Sequence, residues 1–253
     1  MNTESDVIRA GERNELEIST VLIRNFLAIA DNEFTELTAL CDNHPTIAQC
    51  NTIEQHIDLL RRAHSLRGYQ GSYMLVNGPL CADLSARYEQ RQWLRAGNGR
   101  ATDKDIGTRR AVFVDVDPIR PKGISSTRDE FESAREIAWK VRDWLAERLG
   151  PFCLGFGCSG NGFYVLIAVD PEPNPCESTE RIQRFLALLA KKFGTDKVKI
   201  DTAVANPARL MSCPGTMKCK GRNTSERPHR MTSFSYRVNP SDGAPERVRI
   251  EDL

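Results

Sequence analysis

Residues 111–118 read Ala111-Val112-Phe113-Val114-Asp115-Val116-Asp117-Pro118, an apolar run that closes on two aspartates one residue apart. Side chains alternate across a β-strand, so Asp115 and Asp117 share a face while Val114 and Val116 pack on the other. Two carboxylates at that spacing repel each other. Neither sits comfortably on an apolar strand unless a cation or a basic group lies between them. Binding of Mg²⁺ or Mn²⁺ for phosphoryl or nucleotidyl transfer is the chemistry that most often requires such a pair. A solvated acidic pair at a strand-to-loop junction, ended by Pro118, is the bland alternative.

Downstream of the acids the pattern is regular. A loop, Ile119 to Ser126, leads to a helix opened by a capping box of Thr127 with Glu130 and ended by Gly150-Pro151. Phe131, Ala134, Ile137, Val141, Leu145 and Leu149 keep helical spacing between those signals. Phe152 to Gly157 and Phe163 to Val169 read as two strands joined by the turn Cys158-Ser159-Gly160-Asn161-Gly162. Asn174-Pro175 opens a second helix through Ile182, Phe185, Leu186 and Leu189, capped by Gly194. Lys197-Val198-Lys199-Ile200 then forms a strand with Asp201 at its end. The order β-α-β-β-α-β is the ferredoxin-like, RRM-like palm, an α+β fold. Its first and last strands are neighbours, which predicts that Asp201 approaches Asp115 and Asp117.

Upstream, residues before about Asn14 read as frayed. Leu16 to Cys41 carries apolar residues at helical spacing, with a break near Asp31-Asn32. Thr52 to Leu66 reads as a further helix, and Gly71 to Val76 as a strand stopped by Asn77-Gly78-Pro79. Leu80 to Arg110 is polar, with helix turns and loops expected. These readings divide the chain into an N-terminal helical and strand extension over 1–110, a palm over 111–238 and a polar tail over 239–253.

The 253 residues are 40% hydrophobic and 27% charged, with a net charge of +1, the balance of an ordinary globular protein. No apolar run approaches membrane-spanning length and the start is polar, so a cytoplasmic protein without a membrane partner is expected. Basic residues are unevenly placed. Between Arg209 and Arg230 there are six lysines or arginines against one acid, Glu226, and a second basic stretch runs through Arg87, Arg91, Arg95, Arg100, Lys104, Arg109 and Arg110. Such runs are often solvated faces, but two of them flanking an acidic motif suit a site that handles phosphates. The eight cysteines include no CxxC pair, and reduced thiols are expected; a zinc site from Cys213, Cys219 and His229 is disfavoured.

Three blocks carry a family resemblance: FVDVDPIRPKGISS (113–126), GCSGNGFYVLIAVD (157–170), and IDTAVANPARLMSCPGTMKCKG (200–221) followed by RPHR (227–230). In this order and spacing the chain resembles the archaeo-eukaryotic primase superfamily, particularly the primase-polymerases of bacteriophages and plasmids. The strand GYQGSYMLVNGP (68–79) also looks like the one preceding the active site in those proteins. The resemblance implies a primase and DNA polymerase that uses nucleoside triphosphates on a single-stranded DNA template or primer, with a replicative helicase as a further partner. It implies two Mg²⁺ or Mn²⁺ ions on Asp115, Asp117 and Asp201 as catalytic metal ligands. Ser159, Gly160, Asn161, Tyr164, Arg209 and Lys220 would then meet the nucleotide, and Lys218, Arg222, Arg227 and Arg230 the nucleic-acid backbone. His229 has no individual signal. Tyr164 departs from the family pattern, where a histidine usually contacts the phosphates; a phenol supplies no positive charge. A catalytically silent, single-stranded nucleic-acid-binding adaptor is the alternative that this departure supports. A nuclease or a sugar-nucleotide glycosyltransferase built on the acidic pair is the third. Many relatives continue into a helicase or helical priming domain; this chain has no P-loop and reads as either a free-standing module or a fragment.

Overall fold

The computed structural model describes residues 4–78, 93–95, 99–173 and 176–253. Its central sheet has the order β12-β6-β7-β5-β8. The strands are β5 (Thr108–Pro118), β6 (Leu154–Cys158), β7 (Phe163–Pro173), β8 (Val198–Ile200) and β12 (Ser233–Tyr236), each antiparallel to its neighbours. Helix α3 (Arg128–Leu149) follows β5 and helix α4 (Cys176–Phe193) follows β7, so the predicted β-α-β-β-α-β palm is present. The two glutamate-threonine bonds of the capping box form at 2.8 and 3.2 Å.

Alternation divides the sheet as expected. Phe163 stands opposite Val116, and its ring meets Phe131 of α3 at 4.7 Å between centroids. The Val114 and Val116 face is therefore the helix-covered core, where each buried aliphatic side chain contributes about 1.5–3 kcal/mol. Asp115 and Asp117 look out from the opposite face.

That opposite face is covered by structure that the sequence reading assigned otherwise. Helix α1 (Glu4–Phe26) begins well before Asn14 and ends earlier than the apolar spacing implies. In place of a continued helix to Cys41 the chain forms a hairpin of β1 (Thr35–Cys41) and β2 (His44–Cys50). Asp42 and Asn43 supply it with positive φ at both turn positions, +49° and +63°, as a primed hairpin turn requires. Most of β1 is buried on both faces, so its pattern shows no alternation and mimics a helix. Helix α2 (Ile53–Ala63) falls within the span read as Thr52 to Leu66, with Thr52 as its cap, and β3 (Tyr69–Leu75) lies beside β1.

The second sheet runs β4-β2-β1-β3-β9, with β4 (Leu94–Arg95) at one edge and β9 (Leu210–Ser212) at the other. The N-terminal sheet thus takes its last strand from beyond Asp201, across the boundary drawn at residue 110. The prediction for Leu80 to Arg110 lies largely outside the described residues; within them are β4, a 3₁₀ turn at Asp103–Asp105 and the start of β5. A small ribbon, β10 (Met217–Lys218) with β11 (Arg230–Met231), precedes β12.

Residues 239–253, read as a polar tail, return to the palm at their end. Val248 bridges Val169 and Ile250 is buried. The Arg247 guanidinium donates to the carbonyls of Phe26, Arg110 and Val169. Among the described residues no helix is long and apolar enough to cross a membrane.

One row across the palm reads Phe234, Gly157, Tyr164, Asp115. The Tyr164 ring lies over Gly157 and stacks on Phe234, with centroids 6.3 Å apart and planes 9° apart. A Cβ at Gly157 collides with that ring. Gly157→Ala is accordingly expected to destabilise the fold by about 1–3 kcal/mol in denaturant unfolding; an unchanged midpoint would show the tyrosine free to move aside.

Candidate active site

The acids meet where β5 and β8 pair. Asp117 stands opposite Lys199, and one step beyond the last paired residue the Asp201 N–H donates to the Asp115 carbonyl at 3.0 Å. Asp201 therefore comes beside the acidic pair, as the strand order predicted. Its carboxylate caps the 3₁₀ turn Thr202–Val204, accepting from Ala203 N at 2.9 Å. Burial, then Asp117, then Asp201 push the Asp115 carboxyl well above the usual carboxylate range, while Arg209 and Lys199 oppose this. Among the described residues none of these three acids is in an ion pair. No three His, Cys, Asp or Glu side chains among the described residues are gathered tightly enough to form a ready-made metal cage.

Facing the acids is a cavity of about 130 Å³ whose walls come from both sheets. Asp115 and Asp117 form one side; Ser159, Asn161, Arg209, Lys218 and Lys220 form much of the rest. Asn161 is 2% exposed. Its carbonyl oxygen is fixed by the Ser126 N–H at 2.9 Å, while its amide nitrogen, buried with no partner, is an unspent donor. Ser159 Oγ accepts from Gly162 N at 3.1 Å, and Gly160 takes φ +85°, so together they shape the hairpin tip. Arg209 is braced by Asn206 Oδ1 at 3.1 Å.

Lys218 was expected to meet a nucleic-acid backbone, yet the β10–β11 ribbon turns it inward. It is 5% exposed, its Nζ lies 3.7 Å from the Tyr73 ring centroid, and it bonds the Tyr73 hydroxyl and Ser212 Oγ. Burial pulls its ammonium down to about 8, against the attraction of Asp117 and Asp115. Lys220 is lowered for the same first reason, reinforced by Lys218.

Tyr164 shares its face with Asp115 but points along the sheet, away from it. It is fully buried and its hydroxyl donates to Ser233 O at 3.4 Å, outside the cavity wall. Tyr164, expected to meet a nucleotide, thus does not line the cavity that Ser159, Asn161, Arg209 and Lys220 share. Tyr164→Phe should cost about 1 kcal/mol of stability through loss of the hydroxyl's hydrogen bond; an unchanged unfolding midpoint would show that bond to contribute nothing.

Two of the basic residues expected on nucleic acid are engaged inside the protein. Arg227 pairs with Glu130 at 2.9 and 3.2 Å and donates to Ser125 O, and Arg230 donates to Ser126 while lying over the Phe131 ring. They fasten the 220–230 loop to the loop after β5. Arg222 is exposed. Tyr73, Arg120 and Ser212 also line the cavity and carried no distinguishing pattern in the sequence; only alternation within the β3 and β9 strands bears on which way they face.

This pairing of an acidic palm with a second, partly borrowed sheet has a counterpart among solved structures at the level of the fold. The structure is similar to the archaeo-eukaryotic primase domain of the cyanophage S-2L primase-polymerase, with a TM-score of 0.50 and 16% identity over 94% of both chains. It is also similar to primase RepB′ (TM-score 0.41, 13% identity, 90% of this chain and 58% of that one). The polymerase domain of Mycobacterium tuberculosis ligase D, solved with DNA, matches at TM-score 0.43 and 14% identity, over 95% and 86%. No protein-family model and no curated protein matches the chain.

Proposed function

We propose that this chain is a DNA primase and DNA-directed polymerase, transferring nucleotides onto a single-stranded template or primer in the replication of a phage- or plasmid-like element. The observation that carries the proposal is a cavity that sets Asp115 and Asp117 against Arg209, Lys218 and Lys220, with Asp201 next to the pair on the neighbouring strand though outside the cavity wall. Burial first, and then the neighbouring Asp117 and Asp201, raise the Asp115 carboxyl above the usual range, which a nearby cation would relieve, and an all-oxygen donor set suits Mg²⁺ or Mn²⁺. Asp115, Asp117 and Asp201 would hold two such ions, which when bound lower the pKa of an attacking hydroxyl and neutralise charge on the transferring phosphorus.

The chain's own residues do the positioning. Arg209 and Lys220 bind the triphosphate, Arg as a fork and Lys as a point charge. Lys218 adds a second point charge, set rigidly by Tyr73 and Ser212 rather than swinging in solvent. The unspent Asn161 amide donates to a phosphate oxygen and takes over part of the work of the histidine that Tyr164 replaces, although it brings no charge. Ser159 and Gly160 keep the hairpin tip close to the phosphates. Arg222 is left to meet the nucleic-acid backbone, through contacts that weaken with salt.

The test is synthesis on circular single-stranded DNA, with and without primer, with NTPs or dNTPs, in Mg²⁺ or Mn²⁺, resolved on a gel. Labelled product that disappears with a chelator and returns with either ion is expected. Salt-sensitive DNA binding with no product in any combination would sink the proposal in favour of an adaptor, and degradation without added nucleotides would favour a nuclease.

A further inference from the structure

Between Asp201 and Arg209 the chain has one short 3₁₀ turn, Thr202–Val204, and no longer element to hold it. Fixing a long arginine side chain on such a loop costs rotamer entropy, so bonds that fix it before a ligand arrives lower the cost of binding. A chain of hydrogen bonds that begins at Asp103, on the turn before β5, does this. Asp103 Oδ1 accepts from Asn206 Nδ2 at 3.0 Å and from Ala208 N at 2.9 Å. Asn206 Oδ1 in turn accepts from Arg209 Nε at 3.1 Å. The same guanidinium donates through Nη2 to Ala203 O at 2.5 Å, and Ala203 N donates to the Asp201 carboxylate at 2.9 Å. One unbroken path therefore runs Asp103, Asn206, Arg209, Ala203, Asp201. It starts at an acid outside the cavity wall and ends on the third acid of the site.

The origin of this path is itself stiff. Thr102 N and Oγ1 both donate to Asp105 Oδ2, at 2.8 and 2.7 Å, and Asp105 N donates to Thr102 O at 2.9 Å. Ala101 N donates to the buried Glu36 of β1 at 3.0 Å, which ties the turn to the N-terminal sheet. From the palm, Arg109 donates to Ala205 O at 2.9 Å and to Thr179 Oγ1 at 2.6 Å. Burial pulls Arg109 down to about 10, and Asp103 is the charge that opposes this. The chemistry of Asp103 also sets the direction of the path. An ionised carboxylate only accepts, so the Asn206 amide must turn its N–H toward Asp103 and its oxygen toward the guanidinium. The reverse orientation would set N–H against N–H.

We infer that Asp103 is a positioning residue for Arg209: acting through Asn206, it sets the guanidinium in place before a triphosphate arrives. The inference deepens the nucleotidyl-transfer reading and rests on it for the ligand of Arg209; the bonded path is independent of that reading. Asp103→Ala removes the acceptor, whereas Asp103→Asn keeps it, because the Ala208 N–H holds the amide oxygen inward. In primed extension Asp103→Ala is expected to raise the nucleotide KM about fivefold with kcat within about twofold, and Asp103→Asn to keep the wild-type KM. Adding Asp103→Ala to Arg209→Lys should raise KM no further than Arg209→Lys alone. A residue that merely supported the fold would lower kcat and the unfolding midpoint, leave KM in place and add to Arg209→Lys.

The second readout needs no activity. The Arg209 Nε–H resonance, identified by its loss in Arg209→Lys, should exchange with water about fivefold faster in Asp103→Ala and at the wild-type rate in Asp103→Asn. Should Asp103→Ala not fold, Asn206→Ala breaks the path one step further on and is expected to show the same rises in KM and exchange. Exchange equal to wild type in the folded variant, or a KM that does not move, overturns the inference. If the wild-type chain makes no product, the nucleotidyl-transfer reading fails, and the exchange rate alone decides whether Asp103 holds Arg209.

Discussion

Asp115→Asn combined with Asp117→Asn is expected to lower templated incorporation by at least about 10³-fold, the equivalent of roughly 4 kcal/mol of charge stabilisation at the reacting phosphorus. The single variant Asp115→Asn should at the same time raise the unfolding temperature of the metal-free protein. Its carboxyl is held above the usual range by burial, Asp117 and Asp201, so ionising it costs stability. That contribution is intact below the ordinary carboxylate range and is lost as pH rises through the elevated folded-state value. The wild-type chain should therefore lose stability relative to Asp115→Asn from mildly acidic pH upward. The gain at neutral pH is expected at about 0.5–2 kcal/mol, as when a strained functional site is relieved. Added Mg²⁺ or Mn²⁺ should narrow the gap by stabilising only the wild type. Thermal unfolding across pH, with and without metal, measures each part. An Asp115→Asn protein less stable than wild type at neutral pH would mean the three acids do not crowd one another.

Lys218→Met carries the second large effect. Removing a rigid, desolvated cation from the triphosphate wall should reduce kcat/KM for nucleotides about 10²–10³-fold, the range of roughly 3–4 kcal/mol that a preorganised charge supplies in a water-poor site. Stability should move the other way, because a methionine of similar length fills the space without the desolvation cost. The lysine is lowered from an ordinary 10.5 to about 8 in the folded chain. Its depressed folded value makes the wild type gain stability relative to Lys218→Met as pH rises from about 8 to about 10.5. A variant that loses stability but keeps its nucleotide KM would make Lys218 a packing residue.

What the sequence disclosed follows its periodicities. Strand β5, helix α3 with its capping box, the β6–β7 hairpin and the meeting of β5 with β8 were all legible. Each is long or bounded by turn chemistry, and the split β-α-β order brings Asp201 to Asp115. The β1–β2 hairpin was not, because a strand buried on both faces lacks the alternation that marks one. Strands β9 to β12 span two to four residues each and have too little pattern to read.

Side-chain direction was the other limit. Alternation correctly puts Tyr164 on the face of Asp115, but not whether its ring leans toward the acids or, over Gly157, away from them. Arg227 looked like a free surface charge because Glu130 lies far from it in sequence and next to it in space. Lys218 looked like its basic neighbours until the ribbon turned it inward.

The strand borrowed by the N-terminal sheet has a consequence for how the molecule can be taken apart. Cutting at residue 110 would strip β9 from β3 and leave an open edge of unpaired backbone on the first fragment, the kind of surface that recruits other chains. The stretch between Asp201 and β9 carries Arg209, so any widening of the gap between the two sheets must drag an acid and a cation with it. The width of the cleft and the alignment of its chemistry are thus a single mechanical variable, and ligands that wedge the sheets apart should act as inhibitors without touching a carboxylate.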